Sequence, residues 1–164
     1  MLYSELFASH LKQLRTGELS GAVEILIERA FAISRSQFWI KKNQPIRDAA
    51  GLRKFKRYFA RLLADEPLAY ILREKEFFGE KFMVTPAVLI PRPETELLVE
   101  RALNLLGGKP ARILDIGAGS GNITIVLALK SQSRVTALES SPRALRVLKK
   151  NIARFGLQGQ IRPL

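Results

Sequence analysis

Residues 111–128 read ARILDIGAGSGNITIVLA, and this stretch decides the fold. Arg112 to Ile116 is a short apolar run carrying one acid, Asp115, next to its end. Gly117, Gly119 and Gly121 follow at every second position. Ile123, Ile125, Val126, Leu127 and Leu129 then predict a helix that is apolar over most of its surface. The pattern is a buried strand, a glycine turn and a buried helix. Glycines at such a turn allow close backbone approach to a ligand and expose N–H groups at a helix N-terminus. A second apolar run, Arg134 to Leu138, ends on Glu139. A carboxylate at the tip of a second strand is placed to accept hydrogen bonds from two ribose hydroxyls.

The details of the turn select the ligand class. A dinucleotide-binding turn places its third glycine one residue later, where Asn122 stands. Asp115, two residues before the first glycine, would oppose a pyrophosphate. A nucleoside ligand with an amino group and no phosphate tolerates that carboxylate, and S-adenosyl-L-methionine is such a ligand. The alternative is a glycine turn with a structural role only.

Composition bounds the remaining classes. The 164 residues allow one domain or two small ones, and a hydrophobic content of 47% is that of a globular chain. No apolar run is long enough for a membrane span, and Ser4, Glu5 and His10 interrupt the N-terminus, so no signal peptide is expected. A cytoplasmic location is the expectation. Without cysteine there is no disulfide, no thiolate metal site and no cysteine nucleophile. The lone histidine, His10, is expected at the surface, and no metal is expected. The formal charge of +12 points to an acidic partner, with ribosome or RNA proximity first, or to solvated basic helix faces.

Residues 1 to 74 are expected to form a helical bundle. Leu2, Leu6, Phe7, Leu11 and Leu14 recur at helical spacing, and Gly17 is expected to stop that helix. Ser20 is the predicted cap of a helix striped by Val23, Leu26, Ile27, Ala30 and Phe31. Phe38, Trp39 and Ile40 predict a short apolar knot. Asp48 is the predicted cap of a long helix with Leu52, Phe55, Phe59, Leu62 and Leu63 inside and Lys54, Lys56, Arg57 and Arg61 outside. With no chemistry of its own, the bundle suggests substrate docking.

The pattern changes at Lys75. Lys75 to Phe78, Gly79-Glu80 and Lys81 to Val84 predict a β-hairpin, read as a stiff linker over 75–92. Val88 to Glu96, VLIPRPETE, follows. Pro91 and Pro93 fix an extended backbone, and Pro93, Glu94 and Glu96 open a helix that runs to Leu106 before Gly107-Gly108. Such a loop suits a rigid helix start and equally the wall of a cofactor site.

Pro67-Leu68-Ala69-Tyr70-Ile71, the Glu76-Phe77 hairpin, VLIPRPETE and Asp115 to Gly121 (DIGAGSG) together resemble the HemK/PrmC-type protein-(glutamine-N5) methyltransferases, which act on peptide chain release factors. The resemblance covers nearly the whole chain in order. It implies an α/β protein: an N-terminal helical docking domain (1–74), a hairpin linker (75–92) and the first half of a Rossmann-like S-adenosylmethionine-dependent methyltransferase domain (93–164). It assigns Gly117, Ala118, Gly119, Ser120 and Gly121 to the loop around the cofactor's methionine part and Glu139 to the ribose. Arg73 departs from the family, which usually has glycine there.

The family's catalytic Asn-Pro-Pro-Tyr follows its fourth strand. Here no asparagine precedes a proline and no two prolines adjoin. The chain is therefore expected to be an N-terminal part, incomplete as a catalyst, with no catalytic residue of its own to name. Two further functions fit the residues: a non-catalytic binding fragment, and a nucleic-acid adenine amino-methyltransferase that uses the same motif logic. The basic residues 53 to 61, and Arg143, Arg146, Lys149, Lys150 and Arg154, are candidate partner-facing surfaces.

Overall fold

A computed structural model describes residues 1–13 and 20–164 and the side chains of all of these except Ser20. The expectations for Leu14, Gly17 and the Ser20 cap lie outside that description. Two compact units, Met1–Leu72 and Arg73–Leu164, divide the chain.

The first unit is all helical: α1 (Tyr3–Leu11), α2 (Ser20–Phe31), α3 (Arg35–Lys41), α4 (Ala49–Leu63) and α5 (Leu68–Leu72). Its core draws on the predicted stripes, with Leu6, Val23, Leu26, Ile27, Phe55 and Phe59 buried together, and adds Ile71 of α5. The caps follow from local chemistry. Asp48 Oδ1 accepts from Gly51 N at 2.8 Å. Ser34 Oγ accepts from Gln37 N, and Gln37 Oε1 accepts from Ser34 N. Each bond occupies a backbone donor that the first helical turn leaves free.

In this unit four expectations change. The Phe38–Ile40 segment is not a knot but the middle of α3. Phe38 is buried, while Trp39 and Ile40 are 49% and 76% exposed, because a short helix turns only one residue in three inward. Leu63 is exposed at the end of α4. His10 is half-buried instead of lying free at the surface. It packs edge-on against Phe55 and Phe59 and donates from Nδ1 to the Leu6 carbonyl at 2.8 Å. Arg61 is not a free surface cation. Its guanidinium donates to both Glu66 oxygens at 2.6 and 2.5 Å and to the Tyr70 and Ile71 carbonyls. That fork holds the turn between α4 and α5, and it pulls the Glu66 carboxyl below its ordinary range.

The second unit begins with an antiparallel hairpin, β1 (Glu74–Phe77) and β2 (Glu80–Met83). Phe78 and Gly79, both at positive φ, form its turn in place of the expected Gly79-Glu80, because Glu80 pairs with Phe77 as the first residue of β2. A 3-10 turn (Pro93–Thr95) leads into α6 (Glu96–Leu106), which stops at Gly107 in the left-handed conformation. Then come β3 (Arg112–Ile116), α7 (Asn122–Ser131), β4 (Arg134–Leu138), α8 (Pro142–Arg154) and β5 (Ile161–Pro163). The three strands make a parallel sheet in the order β3-β4-β5.

Helices α7 and α8 pack on this sheet. Ile125, Val126, Val135, Ala137, Leu148 and Ile152 form the core with Phe77 and Phe82 of the hairpin. The hairpin is thus part of the second unit's packing. On β3, Ile113 and Asp115 are half-buried, whereas Leu114 and Ile116 are 57% and 75% exposed. Within the described sheet β3 is an edge strand, bonded only to β4.

Candidate cofactor-binding site

The glycine loop leaves the carboxyl end of β3 and Glu139 leaves the carboxyl end of β4, the end at which parallel α/β sheets receive ligands. Pairing of Ile116 with Leu138 brings the two ends side by side. Gly117 N and Ala118 N both donate to the Leu138 carbonyl, at 2.9 and 3.0 Å, so the loop folds across the tip of β4. Gly117, Gly119 and Gly121 have φ of 80°, 58° and 82°. That left-handed region is costly for residues with a Cβ, which explains the alternation with Ala118 and Ser120.

The three glycines do different work. An added Cβ would meet nothing within 4 Å at Gly117, and only the Gly117 carbonyl oxygen, 3.9 Å away, at Gly119. Open space lies over both. At Gly121 an added Cβ would collide with Leu148 Cδ1 and press on Ile125, so that glycine is needed for packing of α7 against α8. Gly121 is also the N-cap of α7, with no side chain capping the helix. The first-turn N–H groups of α7 therefore have no side-chain acceptor at their cap. Ala118 and Ser120, within the loop, are buried, and Ser120 Oγ donates to Asn122 Oδ1 at 3.0 Å.

Glu139 is half-buried and bridges two segments. Its Oε2 accepts from Gly119 N at 2.9 Å, and its Oε1 accepts from Ser141 N at 2.8 Å. An ionised carboxylate offers about four lone-pair sites, so two acceptor positions remain. Asp115 accepts a hydrogen bond from Thr124 Oγ1. The structure thus brings the candidate residues Gly117, Ala118, Gly119, Ser120 and Gly121 together with Glu139 at the carboxyl ends of β3 and β4, with Ala118, Ser120 and Gly121 buried.

Sequence reasoning missed the residue that braces this loop. Asn151, fully buried on α8, donates from Nδ2 to the Ser120 carbonyl at 2.7 Å and to the Met83 carbonyl at 2.9 Å. Its Oδ1 accepts from Met83 N at 2.9 Å. One amide joins the loop, the end of β2 and α8. The available signal was an asparagine in line with Ala144, Val147 and Leu148 on the apolar face of an otherwise basic helix. Glu96 of the PRPETE segment has a similar bracing role, accepting from Phe78 N at 2.8 Å in the hairpin turn.

Among the described residues no cluster of acidic or histidine side chains could hold a metal. Among them, too, no helix is long and apolar enough to cross a membrane.

Two family models match the chain: the PrmC N-terminal domain over residues 5–72 and the methyltransferase small domain over residues 93–163. The second match contains the whole loop and Glu139. A release factor glutamine methyltransferase of Bordetella pertussis is 44% identical over 131 residues, covering 76% of this chain and 47% of that protein. One from Burkholderia pseudomallei is 44% identical over 129 residues, covering 77% and 45%. A third, from Koribacter versatilis, is 34% identical over 167 residues, covering 99% and 59%. The chain spans about half the length of the curated relatives it matches. On these matches, and on the motifs that run through both of its units, the chain belongs to the HemK/PrmC-type family of release factor glutamine methyltransferases.

Proposed function

We propose that this chain supplies the S-adenosylmethionine-binding half of a release factor glutamine methyltransferase, and that its substrate is a peptide chain release factor. The observation that carries the reading is the Glu139 bridge between Gly119 N and Ser141 N, set against a glycine loop with open space above it. The names of the relatives supply the substrate class.

The residues present suit the cofactor. Glu139 keeps two acceptor positions for the ribose hydroxyls while its backbone bonds fix its orientation. Gly117 and Gly119 leave the space that the methionine part needs, and Asp115 favours a ligand bearing an amino group over one bearing phosphates. When bound, the cofactor supplies a methyl group made electrophilic by its sulfonium. This chain's own work is to bind and orient: Glu139 and the loop fix the nucleoside, and Asn151 holds the loop's shape. None of its residues is assigned to proton transfer or to the glutamine amide. The helical unit, residues 1–72, is proposed to dock the release factor.

Titration calorimetry with S-adenosylmethionine tests this reading. Glu139→Ala is expected to weaken binding by about 1–3 kcal/mol, the scale of a lost charge-assisted hydrogen bond. Equal affinity in the variant and the parent chain would make the loop a structural turn and remove the proposal.

A further inference from the structure

Outside the glycine loop, α8, the end of the hairpin and the segment after it enclose a groove of about 250 Å³. Four cations line it, Arg73, Arg143, Arg146 and Lys150, over a floor that includes Met83 and Val147. No carboxylate and no aromatic ring is part of the lining. All four cations are exposed, and among the described residues none of their side chains makes an ion pair or a hydrogen bond. Arg154, further along the same helix, is by contrast paired with Glu74.

The placement is fixed by the frame. Positions 143, 146 and 150 lie at helical spacing on one face of α8, so they form a row about 10 Å long. The hairpin is fastened to that helix through both backbone groups of Met83, which bond Asn151. Arg73 stands across from the row. Its φ of 57° lies in the left-handed region, and its carbonyl accepts from Val84 N at 3.3 Å. A bulky cation thus occupies a backbone position better suited to glycine. Four like charges around one groove repel one another unless an anion joins them.

The geometry points to the phosphodiester backbone of a nucleic-acid strand as the occupant, held without reading its bases. Arginine forks match phosphate oxygens, and phosphate contacts need charge alone. Aromatic anchors dominate protein–protein interfaces, and this groove offers none, while its four cations outweigh the apolar floor. The absence of a ring likewise leaves no platform for base stacking. The site shares no residue with the glycine loop, so it stands or falls separately from the proposed cofactor.

Fluorescence anisotropy of labelled RNA and DNA oligonucleotides of mixed sequence, measured on the full chain across a salt series, tests the proposal. Arg143→Gln with Lys150→Gln is expected to weaken binding roughly tenfold or more and to flatten the salt slope by about 1.4, or 0.7 for each lost contact. Arg112→Gln with Arg134→Gln removes the same charge from the exposed sheet face and should change affinity by less than about twofold. Arg73→Gly should weaken binding without lowering the melting temperature, since glycine suits the backbone there. RNA and DNA of unrelated sequence should bind within a few-fold of each other. An equal loss in the control pair would reduce the effect to net charge and overturn the proposal. So would sequence-selective binding, polyglutamate competing as well as RNA, or no binding at low salt.

Discussion

Replacing Asn151 with leucine nearly preserves side-chain volume and deletes three hydrogen bonds. The bond to the Ser120 carbonyl is buried, and the two to Met83 are part-buried. Stranding a buried acceptor costs about 1–3 kcal/mol, while a part-buried group that recovers water costs about 0.5–1.5 kcal/mol. The sum is about 2–6 kcal/mol, a large fraction of the roughly 5–15 kcal/mol that holds a typical domain folded. The only tryptophan, Trp39, lies in the first unit, so its fluorescence does not report this change. Hydrogen exchange read by mass spectrometry does. Peptides covering 80–84 and 117–125 should exchange faster, about tenfold for each 1.4 kcal/mol, while peptides from α2 and α4 stay unchanged. Unaltered exchange in both of the first two segments would refute the claim that Asn151 braces the loop.

Two further outcomes follow from the two units. The Arg61 hydrogen bonds hold the Glu66 carboxyl low, so the pair stabilises the first unit above the carboxylate's unfolded pKa and loses that contribution as pH falls through the folded one. Glu66→Gln should therefore unfold at lower urea than the parent chain at neutral pH, with the difference shrinking below about pH 4; a pH-independent difference would contradict this. The second outcome concerns β3, an edge in the described sheet with Leu114 and Ile116 exposed. Sedimentation velocity should show concentration-dependent association that Leu114→Lys with Ile116→Lys suppresses, and identical profiles would argue against edge pairing.

Much of this architecture was legible in residue order because local rules and tertiary packing agree. The helix of residues 122–131 is apolar nearly all round and is buried nearly all round. Asp48 caps α4 as its position before an amphipathic run suggests, and Gly107 ends α6. The loop and Glu139 were visible because a turn with alternate glycines and an acid after the next strand meet wherever parallel strands pair in register. What stayed hidden depends on distant partners. Asn151 bonds residues 31 and 68 positions away, and no local period announces such a bond. Arg61 reads as one more cation on a basic helix until the turn after α4 returns Glu66 to it. His10 reads as polar surface until α4 lays two phenylalanine rings beside it. Trp39 and Ile40 err in the other direction, since apolar residues on a short helix need not find a core.

The central claim is that the loop from Gly117 to Gly121 and Glu139 hold S-adenosylmethionine. Two-dimensional NMR of isotope-labelled chain, titrated with that compound, tests it most directly. The amide signals of Gly117, Gly119, Gly121 and Ser141 should shift with a common saturation curve, and Glu139→Ala should move that curve to higher ligand concentration by the same 1–3 kcal/mol, about 5- to 150-fold. Shifts clustered outside residues 115–141, or no shifts at saturating ligand, would contradict the account.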